Sequence, residues 1–184
     1  LKIELTEGCN LRCGMCGIQG IREKAGGPFV YMERSTAVKL GALLRAAGWR
    51  SKVEFAMRGE PLMNPAAAEI IAEFRAALPK SQLMLTTNGI PLLRGSVQEN
   101  AVKLFDAGLN VLAVDCYEAS RKVEQRIREY GVDSWATNHH VRMTDYPSDD
   151  SPYARHSHRE RRLFLIEDFE KASMAGLKVG TKLA

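Results

Sequence analysis

Three thiols, Cys9, Cys13 and Cys16, stand within eight positions near the start of the sequence in the spacing C-x3-C-x2-C. Thiolates are soft ligands that favour zinc or iron–sulfur iron, so three of them in one short loop predict a metal centre. Zinc usually takes C-x2-C pairs completed by two further Cys or His ligands, whereas the local set here is an odd three. Three cysteines can hold three irons of a cubane and leave the fourth iron open to a substrate or cofactor, the arrangement of a metal that does chemistry. Spacing alone leaves zinc open, because Cys116 or a distant histidine can close a tetrahedron. A disulfide framework is disfavoured, since the set is odd and four cysteines in 184 residues is low density.

Two further motifs and one strand end belong with these thiols. Arg58-Gly59-Glu60-Pro61 and Thr86-Thr87-Asn88-Gly89 each follow an apolar run, and Asp115 closes another. Together with the cysteine spacing directly after a strand, they resemble the radical S-adenosylmethionine (radical SAM) enzymes over about the first 120 residues. The cysteine motif is highly specific; the Glu-Pro match to the family's Gly-Gly-Glu-Pro is moderately so, and the Thr-Asn-Gly turn is weak alone. The resemblance implies that Cys9, Cys13 and Cys16 ligate a 4Fe-4S cluster whose open iron binds S-adenosylmethionine, with Gly14 letting the loop turn around it. It implies that Glu60, after Gly59, accepts hydrogen bonds from the cofactor's amino group. Met15 replaces the usual aromatic residue against the adenine, and its thioether can still cover a purine face. Arg58 replaces the first Gly of the family pattern. Asn88 is either a cofactor contact or a turn-former before Gly89. Asp115 either faces the cofactor ribose or caps a helix.

The activity implied is reductive cleavage of S-adenosylmethionine to a 5′-deoxyadenosyl radical that abstracts hydrogen from a small-molecule or peptide substrate. An electron donor such as flavodoxin or ferredoxin is implied with it. The other reading is a non-catalytic, zinc-stabilised binding or structural domain.

These residues need elements to position them. Leu1–Thr6 alternates apolar and polar residues, the period of a half-buried strand, so the cysteines lie just past a strand's C-terminal end. Residues 17–32, with Gly17, Gly20, Gly26, Gly27 and Pro28, predict a loop. Ser35 is expected to cap a helix over about 36–47 with Val38, Leu40, Leu43 and Leu44 as its apolar side. Lys52–Met57 reads as a strand, and Asn64-Pro65 starts a helix carrying Ile70, Ile71 and Phe74. Gln82–Thr87 is a third strand, followed by a helix over Val97–Ala107 that buries Val102, Leu104 and Phe105 and stops at Gly108. Leu109–Asp115 is near-continuously apolar, as in a parallel strand covered on both faces, and Glu118–Tyr130 is its helix. Beyond Gly131, Val141–Thr144 reads as a strand, Asp145–Ser157 as a polar insertion, Arg159–Ala175 as a helix and Leu177–Thr181 as a sixth strand.

Successive strand–helix units build a barrel or an open doubly wound sheet. The chemistry-bearing residues all fall at strand C-termini, which is where barrel enzymes place active sites. The expected fold is therefore α/β, a partial (β/α)6 TIM-like barrel open on one side, as the resemblance also implies. Residues 1–184 are expected to form one domain, a radical SAM core as the resemblance implies. The start on a strand without Met and the stop as another strand begins lead to the expectation of a piece trimmed at both ends, whose continuation covers the open side.

Composition narrows the rest. The net charge of +4, from 26 basic and 22 acidic residues interspersed, argues against nucleic acid as a partner. No run reaches the ~18 apolar residues of a membrane span, and no signal-peptide layout opens the chain. A reducing, cytoplasmic compartment suits the thiolates. His139, His140, His156 and His158 lie in a polar stretch and read as solvated.

Overall fold

A computed structural model describes residues 1–13, 16, 29–56, 58–115, Lys122 and Gln125, and the backbone of 162–166. Its centre is a parallel sheet of β3 (Val53–Phe55), β4 (Leu83–Thr87), β5 (Val111–Asp115) and β6 (Arg162–Ile166), hydrogen-bonded in that order. The leading residues lie along the free edge of β3. Lys2 pairs with Glu54 in parallel, Ile3 N donates to Glu54 O at 2.9 Å and Glu54 N to Leu1 O at 2.8 Å. The order therefore follows the chain, as in the successive units of a TIM-like barrel.

The first strand is shorter than the alternation over Leu1–Thr6 suggests. After Glu4 the chain leaves β3, and β1 (Thr6–Glu7) pairs antiparallel with β2 (Val30–Tyr31), which lies within the stretch expected to be loop. Asn64, fully enclosed, ties this corner together by donating through Nδ2 to Leu5 O (2.9 Å) and Met32 O (3.0 Å).

Alternation along the strands separates two faces. Ile3, Leu5, Val53, Phe55, Leu83, Leu85, Leu112 and Val114 join the main core against the helices. Met84, Val111 and Ala113 form a smaller cluster on the other face, which also carries Glu54, Thr86 and Asp115. Among the described residues three helices cover the first face: α1 (Arg34–Ala46), α2 (Ala67–Ala77) and α3 (Val97–Asp106). In α2 the stripe Ile70, Ile71 and Phe74 is fully buried, and Phe74 packs on Phe55 with ring centroids 5.3 Å apart. Ser96 caps α3 by accepting from Glu99 N at 3.2 Å, and Leu104 and Phe105 are buried while Val102 is only half-buried. A 3-10 turn at Pro61–Met63 precedes α2, which starts two residues later than Asn64-Pro65 suggests.

Two helical expectations are corrected. Glu33, not Ser35, is the N-cap residue of α1, and no side chain caps it. The buried face of α1 is made by Ala37 and Gly41, with Leu40 and Leu44 partly buried, while Val38 and Leu43 are 48% and 68% exposed. Small residues at the contact let α1 approach α2 closely: a β-carbon on Gly41 would stand 2.9 Å from Ala77 Cβ.

The second correction concerns Arg159–Ala175, whose segment Arg162–Ile166 is strand β6, in register with all five residues of β5. A short apolar run such as Leu163-Phe164-Leu165-Ile166 fits either period, and the open edge of β5 supplies the partners that decide it. Lys122 and Gln125 are helical, as expected within Glu118–Tyr130. The expected strands Val141–Thr144 and Leu177–Thr181, the polar insertion and the four histidines lie outside the described residues, as do Gly14, Met15 and Cys116.

Candidate cofactor site

The site begins where the chain leaves β1. Cys9, Cys13 and Cys16 are each partly exposed, and Cys16 N donates to Cys13 O at 2.9 Å, closing the turn that carries the last two thiols. Cys9 Sγ accepts from Leu11 N at 3.4 Å and Asn88 Nδ2 at 3.6 Å and, as a thiol, donates to Asn10 Oδ1 at 3.7 Å. Among the described residues, no three Cys, His, Asp or Glu side chains gather tightly enough to hold a single metal ion.

Onto this loop the Arg58-Gly59-Glu60-Pro61 segment is laid backbone to backbone. A β-carbon on Gly59 would stand 1.7 Å from Thr6 O and 2.7 Å from Gly8 O, so only glycine fits there. Glu60 N donates to Gly8 O at 2.8 Å. The close approach thus falls at Gly59, and Arg58, with its side chain more than half exposed, is tolerated in place of a glycine. Glu4 fixes the segment from the other side. Its carboxylate accepts from Arg58 N (3.0 and 3.2 Å) and Gly59 N (2.6 Å) and lies 3.7 Å from the Arg58 guanidinium.

Glu60 is 2% exposed. It accepts from Leu62 N (3.0 Å), Thr87 Oγ1 (2.5 Å) and Asn88 N (2.8 Å). Burial nonetheless outweighs these three donors and pushes its carboxyl up to about 7. The Thr-Asn-Gly turn supplies two of the three. Thr87 Oγ1 itself accepts from Gly89 N at 3.0 Å, and Gly89 adopts a φ of 74°, which glycine takes without strain. The side chain of Asn88 turns toward the cysteine loop, with Nδ2 2.7 Å from Asn10 Oδ1.

Asp115, at the C-terminal end of β5, is buried, and its Oδ1 has no hydrogen-bond partner among the described residues. Burial first, and then the negative charges of Glu60 and Glu54, push its carboxyl up to about 7. Glu54, also buried, is served by Lys52 at 3.8 Å and Thr86 Oγ1 at 3.4 Å. An orphaned carboxylate oxygen in a buried place is costly unless a ligand's hydroxyl or cation meets it.

The structure therefore gathers Cys9, Gly59, Glu60 and Asn88 into one bonded unit, and the charge of Glu60 reaches Asp115. Glu4, Asn10 and Thr87 belong to that unit and were not singled out as site residues from sequence. Thr87 stands inside a recognisable motif, but Glu4 gives no sign beyond being an acid on one face of an alternating strand. The chemistry of this donor set, accessible thiols beside a buried carboxylate and an orphaned one, fits an iron–sulfur centre with an adjoining polar cofactor.

The sequence profile described as the Radical SAM superfamily matches residues 3–141. The chain belongs to that superfamily. Radical SAM enzymes use a 4Fe-4S cluster and S-adenosylmethionine, the cofactor pair that the resemblance implies. A GTP 3′,8-cyclase of Mycobacterium marinum is 34% identical over 118 residues, covering 60% of this chain and 29% of that protein. A GTP 3′,8-cyclase of Mycolicibacterium smegmatis is 35% identical over 118 residues, covering 62% and 30%. The chain thus spans about three tenths of the length of these relatives. Crystal structures of BtrN, in an open conformation and in complex with AdoMet and 2-DOIA, match with TM-scores of 0.54 and 0.55. They are 19% and 17% identical, over 66% and 68% of this chain and 52% and 50% of theirs. That likeness carries the fold, a partial TIM-like α/β architecture with a parallel sheet. Among the described residues no helix is long and apolar enough to cross a membrane.

Proposed function

We propose that this radical SAM chain binds a 4Fe-4S cluster through Cys9, Cys13 and Cys16 and holds S-adenosylmethionine between that loop and the C-terminal ends of β3 to β5. The observation that carries the proposal is the direct bonding of the Glu60 segment to the cysteine loop, through Glu60 N to Gly8 O and Asn88 to Cys9 Sγ. When bound, the pair supplies an electron and a sulfonium whose cleavage yields a 5′-deoxyadenosyl radical able to abstract a substrate hydrogen.

The chain's own residues do the positioning. Glu60 receives the cofactor's cationic amino group, which favours the ionised carboxylate that burial alone disfavours. Asp115 Oδ1 takes a ribose hydroxyl and so loses its orphaned state. Gly59 keeps the backbone close, Asn88 steadies Glu60 through its main-chain N–H, and Met15 is the residue that the resemblance assigns to the adenine. The substrate is a small molecule or a peptide, the reductant a flavodoxin or ferredoxin, and the compartment the cytoplasm. That the relatives named above are GTP 3′,8-cyclases favours a small molecule over a peptide.

Anaerobic reconstitution with iron and sulfide tests the proposal. About four irons per chain with a brown absorbance shoulder, and 5′-deoxyadenosine after adding dithionite and S-adenosylmethionine, are expected. A colourless sample holding one zinc overturns it in favour of a structural metal domain.

A further inference from the structure

We infer that Asn88 tunes the reduction potential of the iron–sulfur centre by donating its side-chain N–H to Cys9 Sγ, an inference that rests on Cys9 being a cluster ligand as proposed above. The amide is buried and its orientation is decided by its neighbours. Ile90 N–H, which can only donate, points at one end of the amide at 3.0 Å, so that end must be the oxygen. The NH2 group therefore faces the cysteine loop. It lies 2.7 Å from Asn10 Oδ1 and 3.6 Å from Cys9 Sγ, both of which can accept from it, while the main-chain N–H of the same residue is committed to Glu60 Oε2 at 2.8 Å.

A turn-forming asparagine needs only its oxygen, and the Ile90 contact satisfies that role. The donor directed at sulfur is surplus to it. Hydrogen bonds to ligand sulfurs stabilise the more negative, reduced state of an iron–sulfur centre and raise its potential. Asn88 thus acts as a positioning residue toward Glu60 and as a redox-tuning residue toward Cys9, with no contact to a reacting atom required.

The test is an anaerobic equilibrium reduction titration of the reconstituted chain without S-adenosylmethionine, followed by electron paramagnetic resonance of the reduced centre. Asn88→Asp keeps an oxygen for Ile90 N–H and the main-chain bond to Glu60 but replaces the donor with an anion; Asn88→Ala removes the side-chain bonds altogether. At equal iron content both variants are expected to reduce less favourably than wild type by about tenfold, about 59 mV for a one-electron couple, with Asp the lower of the two. Equal potentials in all three proteins overturn the inference and leave Asn88 a turn-former. If one variant loses its iron the other decides. Loss of iron from both makes Asn88 a support of the loop and also overturns the tuning role. A wild-type chain that takes up no iron sinks the proposed function itself, which is a different result from equal potentials in iron-loaded proteins.

Discussion

Gly59 and Thr6 touch main chain to main chain, so closely that a β-carbon on Gly59 would fall 1.7 Å from Thr6 O. The obstructing atom is backbone, held in β1, while Glu4 holds Gly59 itself through its N–H, so neither side can swing away as a flexible side chain would. Gly59→Ala is therefore expected to push the Glu60 segment off the cysteine loop and to cost about 1–3 kcal/mol of stability. Urea unfolding of the two proteins measures it; a midpoint shared with wild type would mean the loops are free to part.

The thiols are expected to divide three to one. Cys9→Ala, Cys13→Ala and Cys16→Ala should each abolish iron uptake, because the loss of any one leaves two protein ligands for the centre. Cys116→Ala should retain it. Iron and sulfide analysis after anaerobic reconstitution decides, and full iron in any of the first three variants would remove that thiol from the ligand set.

Glu60→Gln should keep the cluster while weakening S-adenosylmethionine binding by on the order of 2 kcal/mol, the scale of a hydrogen bond to a charged group. The glutamine preserves shape but keeps one acceptor oxygen, which can serve Leu62 N and Thr87 Oγ1 or else Asn88 N, so the loss combines the charge with a hydrogen bond on one side. Titration calorimetry gives the number. Unchanged affinity would reduce Glu60 to a brace for the turn that Thr87 and Asn88 share.

Stability of the cofactor-free chain should fall as pH rises. Glu60 and Asp115 both sit near 7 in the folded state against ordinary values of 4.5 and 3.8, because burial disfavours their charges. Between those ordinary values and about 7 the native state binds more protons than the unfolded chain, so the stability these groups contribute is complete below the ordinary values and is lost as pH passes through 7. Urea midpoints should thus decline between about pH 5 and pH 8. Glu60→Gln should flatten the decline by on the order of 2 kcal/mol. A wild-type profile that rises over this range would show that neither carboxyl is desolvated as described.

Much of the site could be read from the sequence because it is local. Three thiols inside eight residues, a Gly-Glu-Pro turn and a Thr-Asn-Gly turn are short enough to be recognised without knowing what lies opposite them. The strands that end in these turns were legible too, since Leu83–Thr87 and Val111–Asp115 are apolar runs bounded by breakers. Where an element depends on a partner far away in the chain, the pattern was silent or misleading. Leu163, Phe164, Leu165 and Ile166 carry a spacing compatible with a helix, and only the open edge of β5 makes Arg162–Ile166 a strand. Val38 and Leu43 look like a core stripe, yet close approach of α1 to α2 demands the small residues Ala37 and Gly41 at the contact and leaves the larger ones outside.

The tertiary structure likewise decided what each polar side chain serves. Glu4 stands 54 and 55 positions before the two N–H groups it holds, and Asn88 stands 79 positions after the sulfur it faces. Spacing in the sequence encodes the ligands of a compact centre, because a short loop brings them together whatever the rest of the chain does. The hydrogen bonds that set the orientation and charge of those ligands come from strands brought side by side in the sheet, and such contacts exist only once the chain has folded.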